Sequence, residues 1–220
     1  MKIVQYPLKA GQFIDEKTKK THVVWHGTMG RTALTPYKGK PGKATTSIDT
    51  WNDNPDRVGA PWLVDRDGTI YQCMDDGKWI YHLGLSGTNG QYDRVSVGIE
   101  FANELVLQKS GDKYYAFGKV SENTEYTGQA FRQPWRDWEY WAALEEKQID
   151  AGIELTLDIC RRHNIQPKFY KPSTTFDYPG CFNKATIICH SNCRKDKSDL
   201  ILQDWIWNKL TAAGIQIVNA

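Results

Sequence analysis

The amino-acid sequence predicts an α/β fold in which a central mixed β-sheet is flanked by helices. Three observations lead there. Short runs rich in β-branched and aromatic residues recur at 21–26, 62–64, 69–72, 96–101 and 186–189, each giving way to a polar loop. Segments with helical spacing of apolar residues alternate with them, at 45–54, 134–163 and 200–213. An Asp67-Gly68 step between two of the strand-like runs requires a tight hairpin, so the sheet contains an antiparallel pair and is mixed.

Taken in order, Thr21-His22-Val23-Val24-Trp25-His26 reads as a buried strand that hands over to a loop at His26-Gly27-Thr28. Glycines, prolines and lysines make 27–43 an irregular surface loop. A short helix over 45–54 stops before Pro55. The hairpin 62–72 follows, then a short strand at Trp79-Ile80-Tyr81-His82 and a glycine-rich loop. In Ser96-Val97-Gly98-Ile99-Glu100-Phe101 the apolar residues alternate, which turns Glu100 to the face opposite Ile99 and Phe101. Residues 103–133 have no clear period and read as an insertion carrying a hairpin around Tyr114, Tyr115 and Phe117. From Pro134 a helix is expected to run to His163, with Trp138, Trp141, Ala142, Ile149, Ile153 and Cys160 on one face and Gly152 marking a kink. A proline-containing loop leads to the strand ending at Cys189, and a helix beginning directly after Asp199 ends at Gly214 as its C′ residue.

The chain has 220 residues, enough for one domain with a substantial core, and 1–220 is read as a single domain. A net charge of +2 gives no reason to expect nucleic acid or a charged membrane surface as partner. No 18-residue apolar run is present, so membrane insertion is not expected. The N-terminal residues lack the apolar core of a secretory signal, which predicts a cytoplasmic location or release by a separate system such as a phage holin. The five cysteines form no CxxC pair and are read as free thiols. A monomer is expected.

His26 and His190 both end apolar strands where polar loops begin, the place where functional side chains are displayed. With Lys197 and Asp199 they suggest a catalytic zinc site, which needs three protein ligands and an open position. Asp196 and Cys193 compete with Asp199 for the third place. A structural zinc site built from Cys181, Cys189, His190 and Cys193 has cysteine steps of eight and four, unlike common zinc knuckles, and Cys189 should face away from His190. His22 and His163 read as structural. G-x-S-x-G, G-x-G-x-x-G and the Walker P-loop are absent. Neither a Cys–His nucleophile nor a carboxylate pair for glycoside cleavage is singled out.

The ordered blocks Val23-Val24-Trp25-His26-Gly27-Thr28, Asp65-Arg66-Asp67-Gly68-Thr69-Ile70-Tyr71-Gln72, Tyr81-His82-Leu83-Gly84, Ser96-Val97-Gly98-Ile99-Glu100, and His190 through Lys197-Ser198-Asp199 resemble the type 2 N-acetylmuramoyl-L-alanine amidases. That family shares its fold with peptidoglycan recognition proteins and several phage lysins. The resemblance covers about 20–102 and 180–212 and implies Zn2+ held by His26, His190 and Asp199. It further implies Glu100 as the acid–base residue, Lys197 as oxyanion stabiliser and His82 as a substrate-binding cleft residue. Its substrate would be peptidoglycan or muropeptides, cut between N-acetylmuramic acid and L-alanine. A non-catalytic recognition module and a cytoplasmic muropeptide-recycling amidase are the alternatives to a lysin. The chain departs from the family at Lys197-Ser198-Asp199-Leu200, where Pro-Gly is usual after the aspartate, and at Pro61-Trp62.

Overall fold

The computed structural model describes residues 1–220. In chain order it contains β1 (Ile3–Gln5), β2 (His22–Gly27), α1 (Thr45–Asp53), β3 (Trp62–Val64), β4 (Ile70–Gln72), α2 (Gln91–Val95), β5 (Ser96–Phe101), β6 (Val106–Ser110) and β7 (Lys113–Ala116). There follow β8 (Glu125–Tyr126), β9 (Ala130–Trp135), β10 (Trp138–Ala142), α3 (Glu146–His163), β11 (Lys168–Lys171), α4 (Gly180–Lys184), β12 (Ile187–Cys189), α5 (His190–Cys193), α6 (Asp204–Ala212) and β13 (Gln216–Asn219). Eight strands form the central sheet in the order β1-β4-β3-β5-β2-β12-β11-β13. Only the β3–β4 hairpin is antiparallel, so the sheet is mixed as expected and helices cover both faces.

Period-two alternation sorts the strands' side chains by face. Val23, Trp25, Val97, Ile99, Phe101, Ile187 and Cys189 pack on one side beneath α3 and α6 in the largest apolar cluster. The indole of Trp25 donates to Thr156 Oγ1 at 2.9 Å, tying α3 to the sheet centre. On the other side, Val24 and Ile188 pack with Phe182 of α4, while Leu63 meets Ile48 of α1.

A second, wholly antiparallel sheet of order β8-β7-β6-β10-β9 occupies residues 106–142. It contains the expected hairpin, as β6–β7, but extends well past residue 133. The helix expected from Pro134 therefore begins only at Glu146. Its first third is the β9–β10 hairpin, because an aromatic-rich run turning at Arg136 (φ 56°) pairs as strands more readily than it coils. Gly152 sits inside an uninterrupted α3, with a different purpose from a kink: a Cβ there would lie 2.4 Å from the Phe101 ring. The segment 79–82 makes single bridges, Trp79 to Ile14 and Tyr81 to Val58, and forms no strand, since both partners belong to irregular segments. A buried carboxylate, Glu104, fastens the loop after β2. It accepts from Thr32 N (3.0 Å), Thr32 Oγ1 (2.6 Å) and Thr35 Oγ1 (2.9 Å), and pairs with Arg66 at 2.5 Å.

Candidate metal centre

Strand register assembles the site. His26 of β2 is paired with Glu100 of β5, and Trp25 with Cys189 of β12, so His26, Glu100 and His190 leave the sheet on the face opposite Trp25. His190 opens α5, where a loop was expected. Asp199 likewise lies before an irregular segment, with the helix starting only at Asp204, and Leu200, Ile201 and Leu202 of that segment are buried in the core. The Ser191 amide donates to the Asp199 carbonyl at 2.6 Å and brings that residue back beside His190.

Three ligand atoms converge. Nδ1 of His26 lies 3.0 Å from Nδ1 of His190, and Oδ2 of Asp199 lies 3.2 Å from His190 Nδ1 and 3.5 Å from His26 Nδ1. Two donors ~2.0–2.1 Å from a tetrahedral zinc lie ~3.3 Å apart, so the triangle has the dimensions of three zinc ligands. All three residues are buried, and they are the one such group of histidine, cysteine or acidic residues in the chain.

The proton positions around the triangle are fixed by carbonyl oxygens, which only accept. Ser96 Oγ donates its single hydrogen to the Tyr92 carbonyl at 2.6 Å, so it accepts from His82 Nε2 at 2.9 Å. His82 Nδ1 is then an acceptor for His26 Nε2 at 2.9 Å. His26 therefore presents a bare Nδ1 to the site. His190 Nε2 donates to the Leu83 carbonyl at 2.9 Å, and in that Nε2–H tautomer Nδ1 is bare towards the site. Burial first, and neighbouring His190 next, hold His26 down at about 4, and burial keeps His82 well below its ordinary range; both are neutral at pH 7. Two nitrogen lone pairs and a carboxylate oxygen thus face one another with a single polar hydrogen, that of Gly27 N at 3.3 Å from Asp199 Oδ2, directed at them. Such a set repels itself unless a cation sits at its centre, and its chemistry fits zinc.

The cleft above the triangle has a volume of about 300 Å³ and is lined by His82, Glu100, Lys197 and Trp138, with Met29 and Val58 exposed in its lining. Glu100 Oε2 is solvent-inaccessible and has no hydrogen-bond partner. Burial, then the Asp199 charge, push its carboxyl up to about 8. Lys197 is half-buried in the same cleft.

The sequence-derived candidates therefore meet in one place, with one change of occupation. Both ring nitrogens of His82 are engaged by His26 and Ser96, so its ring is a brace for His26 and offers no nitrogen to a substrate. Gly98 makes room for that ring; a Cβ there would stand 3.2 Å from His82 Nδ1. Asp196 lines the same cleft but is exposed and bound to Arg194 at 2.7 Å, and it does not join the triangle. Cys189 lies in the core on the far side of the sheet, while Cys181 and Cys193 are buried with Phe182, so no cysteine joins the cluster. His22 bonds the Phe182 carbonyl at 3.0 Å and His163 bonds Asp76 at 3.1 Å, both away from the cleft. Ser96 went unnoticed in the sequence, although its period-two relation to Gly98 and Glu100 places all three on the site face. A larger hollow of about 570 Å³ beside Leu34, Arg66 and Glu145 holds no comparable convergence.

The family model for N-acetylmuramoyl-L-alanine amidase (Amidase_2) matches residues 16–199. No curated protein sequence matches the chain. Among solved structures, the fold is similar to that of the N-acetylmuramyl-L-alanine amidase AmiD from E. coli in complex with anhydro-N-acetylmuramic acid-L-Ala-D-gamma-Glu-L-Lys. That match has a TM-score of 0.52 at 20% identity and covers 92% of this chain and 60% of AmiD. The catalytic domain of XlyA matches with a TM-score of 0.51 at 16% identity, covering 97% of this chain and 99% of that one. The N-acetylmuramoyl-L-alanine amidase LysC from Clostridium intestinale matches with a TM-score of 0.51 at 14% identity, covering 98% and 99%. At these identities the structural likeness shows the fold, and the family model, spanning most of the sequence, shows the family. The chain belongs to the type 2 N-acetylmuramoyl-L-alanine amidases.

Proposed function

We propose that this chain is a zinc-dependent amidase that hydrolyses the bond between N-acetylmuramic acid and L-alanine in peptidoglycan, acting on the cell wall as a phage-type lysin. The observation that carries the reading is the triangle of His26 Nδ1, His190 Nδ1 and Asp199 Oδ2, proton-free by wiring and set beside an unpaired Glu100 oxygen. Zinc held there supplies Lewis acidity that activates water and polarises an amide carbonyl. Glu100 takes the proton from the attacking water and passes it to the leaving amine. Burial raises its carboxyl from the ordinary range, the direction that suits a group which must both take and give a proton near neutral pH. Lys197 faces the charge that develops on the carbonyl oxygen; losing such a donor costs about 3–4 kcal/mol of barrier. His82 and Ser96 hold His26 in the tautomer that leaves Nδ1 free. A recognition module without activity has no use for Glu100, so the retained carboxylate favours the enzyme. The muramyl peptide named in the AmiD complex supports the substrate class.

The test incubates the zinc-loaded protein with intact sacculi and with soluble muropeptides, with and without chelator, and identifies products by mass spectrometry. The reading requires stem peptides with a free L-alanine amine, lost on chelation and lost in Glu100→Ala and Asp199→Ala. Activity retained in both variants overturns the assignment. Preference for sacculi supports the lysin role, whereas preference for soluble muropeptides supports a recycling enzyme instead.

A further inference from the structure

The second sheet supplies one wall of the cleft, and hydrolysis as described makes no use of it. Trp138 of β10 lines the same cleft as His26, Glu100, Lys197 and Asp199, and is half-buried there. Its ring edge lies against the chain at Gly118 (φ +63°), where a Cβ would come within 2.9 Å of Cη2. Trp138 also packs on the cluster of Val106, Trp141 and Ile201, the last only two residues beyond Asp199. At the tip of the same hairpin, Arg136 lies over the Trp135 ring. Its guanidinium donates to the carbonyls of Ser191 (3.2 Å), Arg194 (2.9 Å) and Lys195. The hairpin thus grips the segment carrying Lys197 and Asp199 from both ends, and Trp138 is fixed relative to the metal ligands.

Resting on the amidase reading, we infer that Trp138 is a specificity-determining residue that stacks on the apolar face of the muramyl sugar ring, with Arg136 as the positioning residue that seats the hairpin. The wall it belongs to, Leu105, Val106 and Trp138, carries no charge. A stem peptide bears carboxylates that call for cations. A pyranose ring instead offers a flat face of C–H groups, which matches an immobilised indole.

Two substrates with the same scissile amide decide the matter: an N-acetylmuramyl peptide, and the corresponding lactyl peptide lacking the sugar ring. With Trp138→Ala, KM for the muramyl peptide should rise about fivefold to tenfold, the value of one aromatic stacking contact, while kcat holds. The lactyl peptide should be nearly indifferent, and Trp138→Phe should restore most of the loss. Arg136→Ala should instead lower kcat on both substrates, with partial rescue by Arg136→Lys; zinc content and melting temperature report whether each variant is folded. For Trp138→Ala, equal losses on both substrates, or none, overturn the inference. Failure of the wild type to cleave either substrate would sink the amidase reading alone. Calorimetric binding of muramyl dipeptide and its sugar-free analogue then still decides: affinity that depends on both the ring and Trp138 supports the wall, and any other pattern rejects it.

Discussion

Replacing Asp199 by asparagine should stabilise the metal-free protein and destabilise the zinc-loaded one. At pH 8, where histidines are ordinarily neutral, the Asp199 carboxylate is buried against two nitrogen lone pairs and accepts only the Gly27 amide at 3.3 Å. An asparagine amide keeps the shape but adds N–H donors directed at acceptors that stand 3.2 and 3.5 Å from the present oxygen. Relieving an unsatisfied buried group is worth about 1–3 kcal/mol. For a chain of this size that is a rise of about 3–10 °C in melting temperature. Zinc acts in the opposite sense. At about 1,000-fold above its Kd it adds about 4.1 kcal/mol to the wild type, and the variant gains nothing once a ligand is lost. Thermal denaturation in chelator and in excess zinc should therefore show the order of stabilities inverting. If Asp199→Asn is the less stable protein in chelator at pH 8, the carboxylate is already satisfied by the protein and the argument from proton positions is wrong.

Other perturbations follow from the same contacts. Glu100→Gln should cost about 10²–10⁴-fold in kcat, the usual worth of a general acid–base group, while zinc content measured by mass spectrometry stays that of the wild type. Lys20 is 2% exposed, with Nζ 2.9 Å from the Arg94 carbonyl, and burial lowers it to about 8. Its folded-state pKa is below the unfolded value, so the unfolded chain binds more protons between pH 8 and 10.5, and stability from this group rises across that window. Denaturant titrations should show wild type gaining on Lys20→Met by up to about 3 kcal/mol from pH 7.5 to 10.5; a constant difference would contradict the burial. Gly152→Ala should destabilise by about 1–3 kcal/mol despite the better helix former, because its Cβ would press on Phe101; a stabilised variant in chemical denaturation would refute that packing.

The site was more legible in the sequence than the surrounding chain. Glu100 lines a strand whose apolar residues alternate, so its face followed from period two, while His26 and His190 stood out as the ends of apolar strands where polar loops begin. Asp199 was separable from Asp196 by its spacing to Lys197, and the fold turns Asp196 to Arg194. The role of His82 was not legible. It depends on Ser96 and the Tyr92 carbonyl, which only the tertiary structure brings under the imidazole. The largest misreading lay at 134–145. Trp138, Trp141 and Ala142 fall at helical spacing, yet Trp141 pairs with Val106 and Phe131 in a sheet whose other strands have no periodic signal. Propensity in an aromatic run cannot decide between helix and strand until the pairing partner is known. β11 and β13 escaped notice for a related reason: each is four residues long and is held as a strand by pairing with the other.

The central claim is that two imidazoles and one carboxylate, stripped of protons by their hydrogen bonds, form a seat for a single cation. Anomalous diffraction at the zinc edge from crystals soaked in zinc tests it most directly. The account predicts one peak, bound through Nδ1 of His26, Nδ1 of His190 and Oδ2 of Asp199, with His82 still bridging His26 to Ser96. A peak coordinated through Nε2 of either histidine, or none at this triangle, would contradict it.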